Sequence, residues 1–385
     1  MFNRRLKLVL PEGQSAFLWG ARQTGKSTYL SQRFPKALIY DFLKSDLYLR
    51  FLKEPFRLRE ELLENPPPRG QPIILDEVQR VPLILDEVHW MIENKKFSFI
   101  LCGSSARKLK RGQANLLGGR AWRFEMFPLV FPEIPDFDLL KALTHGLLPP
   151  HYRSLSPQKS LKSYVNDYLT EEIKAEGLSR NLAAFARFLE AAAFSHGELV
   201  EYKNIASDCG VDAKTVKEYF EILKDTYLGT LLMPLAKRDR KAILATPKFY
   251  FFDPGVANFL TRSVLSQLKG AAAGKSFEGY ILHELQAYSA YAEKDFSLNY
   301  WRTKAGHEVD FVLNRDEVYI EVKISDNVKS SDLRGLRTLL QQTPSKKALV
   351  VCLEKRPRLV TTPEGPIHLV PWRDFLERLW GGGII

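Results

Sequence analysis

The sequence predicts an α/β protein of several domains, with a parallel sheet in its amino-terminal part. At 385 residues the chain exceeds one ordinary domain, and roughly 150 residues per domain gives two to three. The first third alternates short apolar runs with helical stretches, which is typical of a parallel sheet. A second group of apolar runs follows a long helical pattern near the carboxyl terminus. We therefore expect two sheet-containing regions joined by a mainly helical one.

The strands expected in the first third are Ser15–Trp19, Ala37–Tyr40, Pro72–Leu75, Phe97–Cys102 and Trp122–Phe127. Helical spacing dominates from about residue 160 to residue 223. Two further strands are expected at Tyr227–Pro234 and Lys248–Phe252. The last region is expected to hold a helix at Phe277–Tyr291 and strands at Ser297–Trp301, His307–Leu313, Val318–Val322 and Ala348–Leu353.

A glycine-rich segment lies between the first predicted strand and a helix. It reads Gly20, Ala21, Arg22, Gln23, Thr24, Gly25, Lys26 and Ser27, with Thr28 next, and fits the pattern G-x-x-x-x-G-K-[ST]. Backbone N–H groups of such a loop wrap phosphates, and the helix N-terminus adds a favourable dipole. Lys26 is expected to contact the β- and γ-phosphates and Ser27 to hold Mg²⁺. The segment therefore predicts a site for ATP and Mg²⁺.

Two carboxylates end the third predicted strand, in Ile73-Ile74-Leu75-Asp76-Glu77. A phosphate loop needs one acidic residue at the metal and another at the attacking water. We assign Asp76 to Mg²⁺ and Glu77 to the water. A similar run, Leu85-Asp86-Glu87-Val88, has helical spacing after it and is expected to belong to a helix.

Hydroxyl groups follow the next strand, at Ser104 and Ser105, and a basic segment then leads to Gly118-Gly119-Arg120. This order resembles the AAA-type ATPases. The resemblance implies that Ser104 or Ser105 senses the γ-phosphate and that Arg120 reaches the nucleotide of a neighbouring subunit. It also implies a homo-oligomer, which we expect to be a hexameric ring. The alternative is that Arg120 is a surface cation in a glycine turn.

A helix-turn-helix cadence occupies the middle of the chain. Ile205 and Ala206 are expected to pack the first helix, Gly210 to form the turn and Asp212 to cap the second helix. The two following strands would complete a winged helix. The residues expected to contact DNA are Lys214, Thr215 and Lys217 on the second helix, and Lys237, Arg238, Arg240 and Lys241 on the wing. A winged helix that only packs against protein is the alternative.

Acidic residues and a lysine recur in the last region. Glu278 follows Gly274 as G-x-x-x-E, Asp310 ends Glu308-Val309-Asp310, and Glu321 and Lys323 share one strand face because side chains alternate. Carboxylates on adjacent strands can hold a divalent metal while Lys323 orients water, as phosphodiester hydrolysis requires. The pattern resembles the PD-(D/E)XK nucleases. Glu278, Asp310 and Glu321 are the expected metal ligands, for a second Mg²⁺ or Mn²⁺. Asp310, Glu321 and Lys323 are the expected catalytic residues. An inactive nuclease-like fold is the alternative.

The order of these motifs over nearly the whole chain, with Leu-Asp-Glu-Val-Gln, Cys-Gly-Ser-Ser-Ala, Phe-Phe-Asp-Pro-Gly and Glu-Val-Lys among them, resembles a prokaryotic group of AAA-domain ATPases. That group carries a carboxyl-terminal nuclease-like domain. The expected domains are an AAA-type P-loop ATPase domain at 1–140, a helical linker or lid at 141–195, a winged helix at 196–255 and a restriction-endonuclease-like α/β domain at 256–385. Cys102 and Phe131-Pro132-Glu133 depart from the usual pattern of the group.

Three functions are compatible with this organisation. The first is a Mg²⁺-dependent oligomeric ATPase that binds and translocates or remodels DNA, branched DNA included. The second is an ATP-gated, metal-dependent DNA nuclease. The third is a nucleotide-switched module that binds protein and no DNA. A DNA partner agrees with the net charge of +11 and with the acid-free basic stretch from Arg107 to Arg123.

The location expected from the sequence is the reducing cytoplasm. Cys102, Cys209 and Cys352 are too widely spaced for a disulfide framework or a zinc site. No apolar run approaches the 18 or so residues that span a bilayer, so no membrane association is expected.

Overall fold

The structure is a computed structural model of the chain. It describes residues 2–107, 109, 117–169, 182–235 and 246–385. The chain divides into two compact units, one formed by Met1–Leu129 and Glu221–Leu228, the other by Val130–Phe220 and Gly229–Ile385. Each unit has its own sheet and core.

The first unit contains a five-stranded parallel sheet in the order β2-β3-β4-β1-β5. Its elements are β1 (Ser15–Trp19), α1 (Lys26–Arg33), β2 (Leu38–Asp41), α2 (Ser45–Lys53), α3 (Arg57–Glu64), β3 (Ile73–Asp76), α4 (Ile84–Lys95), β4 (Phe99–Gly103) and β5 (Ala121–Glu125). Strands β1, β3 and β4 are buried along their whole length, as expected for the centre of a parallel sheet covered on both faces.

The core of the first unit explains why the strands are so apolar. Phe17 and Trp19 stack on one face of β1, with ring centroids 5.2 Å apart. Leu75 of β3, Leu101 of β4 and Val88 of α4 are fully buried in the same cluster. Because β1 lies between β4 and β5, the loop after Trp19 leaves from the interior of the sheet. That position brings it beside the carboxyl ends of the neighbouring strands, where ligands of α/β sheets bind.

The second unit begins with helices and a small antiparallel sheet of order β6-β8-β7. Its elements in this part are α5 (Leu139–His145), α6 (Pro149–Arg153), α7 (Pro157–Ser163), a π-helical turn (Tyr164–Leu169), α8 (Leu182–Phe194), β6 (Glu198–Leu199), α9 (Tyr202–Cys209), α10 (Ala213–Asp225), β7 (Gly229–Leu232), β8 (Lys248–Phe251) and α11 (Pro254–Leu260). The last residues of helix α10, 221–225, belong to the first unit.

A six-stranded mixed sheet completes the second unit, in the order β13-β14-β12-β11-β10-β9. Its elements are α12 (Gly270–Tyr291), β9 (Leu298–Arg302), β10 (Glu308–Leu313), β11 (Val318–Val322), α13 (Arg334–Gln342), β12 (Lys347–Cys352), β13 (Arg358–Thr362), β14 (Gly365–Pro371) and α14 (Trp372–Trp380). The register of β10 against β9 shifts between Val309 and Val312, a bulge that surrounds Asp310.

The observed elements follow most of the predicted ones. Strands β1 and β11 have the predicted bounds, and the other predicted strands differ at one or both ends by one or two residues. The second acidic run lies in α4, as expected. Helix α12 begins at Gly270 instead of Phe277, because Ala271, Ala272 and Ala273 are good helix formers that extend it. In the carboxyl-terminal region the sequence analysis missed α13, β13, β14 and α14. Among the described residues, no helix combines the length and apolar character needed to cross a membrane.

Candidate functional site

The phosphate-binding loop connects β1 to α1 and depends on two glycines. Gly20 has φ 150° and Gly25 has φ 93°, values that glycine adopts without strain. A Cβ at Gly20 would lie 2.3 Å from the carbonyl oxygen of Met126, so the loop approaches the segment after β5 too closely for a side chain. These constraints place Lys26 at the start of α1, where the free N–H groups of the helix face the loop.

The polar side chains of the loop have hydrogen-bond partners within the chain. The buried ammonium of Lys26 donates to the carbonyl oxygens of Gly20, at 2.7 Å, and Ala21, at 3.0 Å. The hydroxyl of Ser27 donates to Asp76 Oδ2 at 2.6 Å. A hydroxyl and a carboxylate are the oxygen ligands that Mg²⁺ prefers. Ser27 and Asp76 line a cleft of about 360 Å³ with Thr28 and Asp41. The donor set therefore fits Mg²⁺, with Lys26 beside it for a phosphate.

Glu77 is held in a specific orientation one residue beyond Asp76. Its backbone is left-handed, with φ 55°, and its N–H donates to Asp76 Oδ1 at 3.0 Å. Gln79 donates through Nε2 to Glu77 Oε2, and the Ser104 hydroxyl lies 3.3 Å from the same oxygen. Gln79 Nε2 also lies 3.2 Å from the Ser104 hydroxyl. The three side chains form one buried network at the carboxyl ends of β3 and β4.

The two candidate sensor serines occupy different environments. Ser104 belongs to the network of Glu77, whereas the Ser105 hydroxyl accepts a hydrogen bond from the N–H of Arg107 at 3.2 Å. Gly103 makes the network possible, because a Cβ there would lie 2.3 Å from Gln79 Oε1. The sequence analysis did not assign a role to Gln79, although it lies in the run Leu-Asp-Glu-Val-Gln. The geometry favours Ser104 over Ser105 as the sensor.

Arg120 lies just before β5, at the end of the sheet opposite the phosphate loop. Ala121 pairs with Ser15, the first residue of β1, whereas the loop follows the last residue of β1. The length of the strand separates the two by about 16 Å. The Arg120 guanidinium is two-fifths exposed and forms an ion pair with Glu93. It therefore lies too far away to contact the phosphate loop of its own chain.

Arg4 is a further residue at the loop that the sequence analysis missed. Its guanidinium donates to the carbonyl oxygen of Thr24 and to that of Phe127, both at 2.5 Å. Tyr29 holds the same amino-terminal segment, since its hydroxyl donates to the Leu6 carbonyl at 2.9 Å. Arg4 thereby ties the loop to the segment after β5. The basic character of the amino terminus was visible in the sequence, but its contact with the loop was not.

The predicted carboxyl-terminal residues do come together. Asp310 Oδ2 accepts from the N–H of Val322 at 2.8 Å, and Lys323 Nζ donates to Glu321 Oε1 at 2.5 Å. Burial raises the pKa of Asp310 to about 6, and burial followed by the charge of Asp310 raises the pKa of Glu321 well above its usual value. Glu321 Oε2 is buried and has no hydrogen-bond partner.

A second lysine, Lys248, which the sequence analysis placed only at the start of a predicted strand near the wing, lies among these carboxylates. Lys248 Nζ lies 3.0 Å from Glu278 Oε1 and 3.8 Å from Asp310 Oδ1, and it forms an ion pair with Glu308. Burial alone would lower the pKa of Lys248, but the carboxylates raise it above its usual value. Among the described residues, no group of three His, Cys, Asp or Glu side chains is arranged to hold a metal ion. The ammonium of Lys248 therefore lies against two of the predicted metal ligands, Glu278 and Asp310.

The middle of the chain has the order helix, strand, helix, helix, strand, strand over α8 to β8. Ile205 and Ala206 are buried, and Asp212 Oδ1 accepts from the N–H of Thr215 at 2.7 Å, as predicted. Lys214 and Lys217 are exposed and Thr215 is half-buried. The wing residues Lys237, Arg238, Arg240 and Lys241 lie outside the described residues.

Comparison with known proteins agrees with the first part of this description. Residues 12–135 match the model of an AAA domain. Residues 136–267 and 273–374 match two domains of unknown function, DUF8612 and DUF4143. Neither match identifies a winged helix or a nuclease fold.

Similarity over longer stretches is weaker. The uncharacterized protein MJ1544 of Methanocaldococcus jannaschii is 22% identical over 376 residues, which cover 87% of this chain and 80% of that protein. A solved structure of the Aeropyrum pernix Orc1 protein in complex with DNA is 13% identical, covers 65% of this chain and 86% of its own, and has a TM-score of 0.26. That likeness is too low to support an argument. Residues 12–135 are therefore similar to an AAA domain, and the geometry of the phosphate loop agrees with that match.

Proposed function

We propose that the protein is a Mg²⁺-dependent ATPase that works as a homo-oligomeric ring and uses ATP turnover to translocate or remodel DNA. The observation that carries the ATPase part is the arrangement of Ser27, Asp76 and Glu77 around the phosphate loop. The Ser27 hydroxyl lies 2.6 Å from Asp76 Oδ2, and the two oxygens form a pair of ligands for Mg²⁺. Glu77 lies next to them and is oriented by Gln79.

The roles of the residues follow from their positions. Lys26 exchanges its present bonds to loop carbonyls for the terminal phosphates of ATP, which are stronger acceptors because they carry charge. Ser27 and Asp76 bind Mg²⁺, which supplies neutralisation of the charge that develops on the phosphates. Glu77 accepts a hydrogen bond from the attacking water and orients it for in-line attack. The Ser104 hydroxyl lies 3.3 Å from Glu77 Oε2 and so connects the position of the attacking water to the end of β4.

Arg120 is the proposed contribution of a neighbouring subunit. It ends the basic segment between β4 and β5 and lies at the edge of the sheet away from its own loop. A residue in that position completes an ATP site only if another copy of the chain supplies the phosphates. An arginine in this role stabilises the charge of the transition state and accounts for about 10³–10⁵ in rate in related chemistry. The proposal for an oligomer rests on this position and on the AAA domain match.

DNA is the proposed partner of the middle module. Its helices and strands follow one another in the order of a winged helix, and α10 exposes Lys214 and Lys217. Lys217 also lies over the ring of Tyr202, with Nζ 5.3 Å from the centroid, which keeps its ammonium at the surface of the helix pair. Exposed cations on the second helix of such a pair are placed to contact phosphates and base edges. A nuclease is not part of the proposal because of the position of Lys248.

The test measures phosphate release by the full chain with no DNA and with single-stranded, duplex or branched DNA. Lys26→Ala should abolish turnover. Glu77→Gln should keep ATP binding and lose turnover by about 10²–10⁴-fold, because it removes the group that orients water. Glu87→Gln is the matched control, since Glu87 lies in the similar acidic run in α4 and pairs with Arg59 instead. It should retain turnover close to that of the unaltered protein.

The outcomes separate the candidate functions. Full turnover in both Lys26→Ala and Glu77→Gln would refute the ATPase proposal. Turnover that no DNA stimulates, together with the absence of salt-sensitive DNA binding, would replace the DNA role by a nucleotide-switched protein contact. Stimulation by one DNA form above the others would identify the substrate class.

A further inference from the structure

Lys248 is the first residue of β8, and its side chain is almost completely buried, with 2% of the residue exposed. Its ammonium lies among carboxylates from two other elements, Glu278 on α12 and Glu308 and Asp310 on β10. A lysine is rarely buried unless it is paired, and here the pairing involves three acidic groups. Lys248 is therefore a buried, paired member of the acidic centre and not a surface lysine close to it.

The ammonium and a divalent metal would compete for the same oxygens. Nζ lies 3.0 Å from Glu278 Oε1 and 3.8 Å from Asp310 Oδ1, two of the three expected metal ligands. Mg²⁺ binds oxygen at about 2.0–2.1 Å, so an ion shared by these two oxygens would lie within a few ångströms of Nζ. Two cations that close repel strongly in a site with little water.

Protein donors other than Lys248 also contact the carboxylates around it. The Tyr250 hydroxyl donates to Glu278 Oε1 at 2.5 Å, and the Val322 N–H donates to Asp310 Oδ2 at 2.8 Å. Arg302 donates to Glu308 Oε2 at 2.9 Å. A metal would have to displace several of these donors as well as the ammonium. Glu278, Glu308 and Asp310 are thus paired within the chain, whereas Glu321 Oε2 is buried without a hydrogen-bond partner.

We propose that Lys248 is the resident cation of this centre, that the centre binds no Mg²⁺ or Mn²⁺ while Lys248 is in place, and that its role is to fasten β8 to α12 and β10. The carboxyl-terminal region then contributes a binding surface and structural rigidity. Among the described residues, the ATP site is the only centre of metal-dependent chemistry. This inference does not depend on the proposed ATPase function, because it concerns different residues and a different cation.

The experiment measures Mn²⁺ binding to the nucleotide-free full chain by electron paramagnetic resonance. The unaltered protein and Asp310→Asn should bind the same amount of Mn²⁺, because Asp310 holds no metal in either. Lys248→Met should gain one Mn²⁺ per chain, since it leaves the carboxylates without their cation at nearly unchanged side-chain volume. Adding Asp310→Asn to Lys248→Met should remove that gain.

Lys323→Met is the matched control. Lys323 also pairs with a carboxylate of the centre, Glu321, but Lys248 would still lie between Glu278 and Asp310. Lys323→Met should therefore gain no Mn²⁺. Mn²⁺ binding by the unaltered protein that Asp310→Asn abolishes would overturn the proposal. A folded Lys248→Met that gains no Mn²⁺ would also overturn it. If Lys248→Met does not fold, the comparison of the unaltered protein with Asp310→Asn still decides the question.

Discussion

Gly103 provides a sharp test of how Glu77 is positioned, because it is not itself a candidate ligand of ATP. It ends β4, and its missing side chain leaves room for Gln79. In Gly103→Ala the new Cβ would lie 2.3 Å from Gln79 Oε1 and 2.9 Å from Trp19 Cζ3. Gln79 in turn donates to Glu77. The substitution thus moves the residue that orients the proposed catalytic carboxylate, and it also crowds the ring of Trp19, the residue before the phosphate loop.

The magnitude follows from the distance. Ordinary contact needs about 3.4 Å, so the carboxamide of Gln79 must withdraw by about 1 Å, and a misplacement of this size in an active site costs about 10²-fold in rate. Overpacking of the buried site should lower the free energy of unfolding by about 1–3 kcal/mol. Affinity for ATP should change by no more than about threefold, since the contacts of Lys26 and Ser27 are preserved and only the chemical step is affected.

The assay is steady-state phosphate release, with ATP affinity measured separately by calorimetry. Gly274→Ala is the control, because a Cβ there meets Ile324 Cγ2 at an ordinary 3.5 Å. In a Gln79→Ala background, adding Gly103→Ala should cost much less than it does alone, since the obstructed side chain is gone. The reasoning is refuted if Gly103→Ala turns over ATP at the unaltered rate, or if its cost is the same in both backgrounds.

Three further predictions concern other parts of the chain. Arg120→Ala should abolish turnover, and mixing it with Glu77→Gln chains should restore part of it at junctions that combine an intact site with an intact arginine; inactivity in verified mixed oligomers would contradict this. Arg4→Ala should raise the KM for ATP more than it lowers kcat, because it frees the loop from its bond at Thr24 and leaves Glu77 in place, and an unchanged KM would contradict it. Burial lowers the pKa of His196 to about 4, so between about pH 6.5 and pH 4 the unfolded chain binds a proton that the folded chain does not. The free energy of unfolding should therefore fall by about 2 kcal/mol from pH 7 to pH 5 through this group, and urea unfolding of His196→Gln should lack that component.

Sequence reasoning worked best where a local pattern determines local geometry. The phosphate loop was predicted residue by residue, because its glycines and its place between a strand and a helix require one backbone conformation. The acidic run at Asp76 was separated from the similar run in α4 by the proline before the second run and the helical spacing after it. Helix α12 was predicted with too late a start, since the alanines before Phe277 carry no apolar periodicity.

Prediction failed where a residue acts through a distant partner. Gln79 matters because β4 ends in a glycine 24 residues away, and Lys248 because β8 lies beside α12 and β10. The strands β13 and β14 were missed because exposed polar residues alternate irregularly along β13, which is an edge strand. No window of the sequence contains these relations, since each depends on which elements the fold makes neighbours.

The sequence by itself predicted an ATP site and the side chains that form it, because a phosphate loop and a strand-end carboxylate are short-range patterns. It also predicted the acidic residues that meet at the end of β11. Only the tertiary structure decided what those acidic residues face. It placed the ammonium of Lys248 between Glu278 and Asp310, 30 and 62 positions along the chain from the lysine. Buried opposite charges interact because they are close in space, and their separation along the sequence does not reveal that proximity.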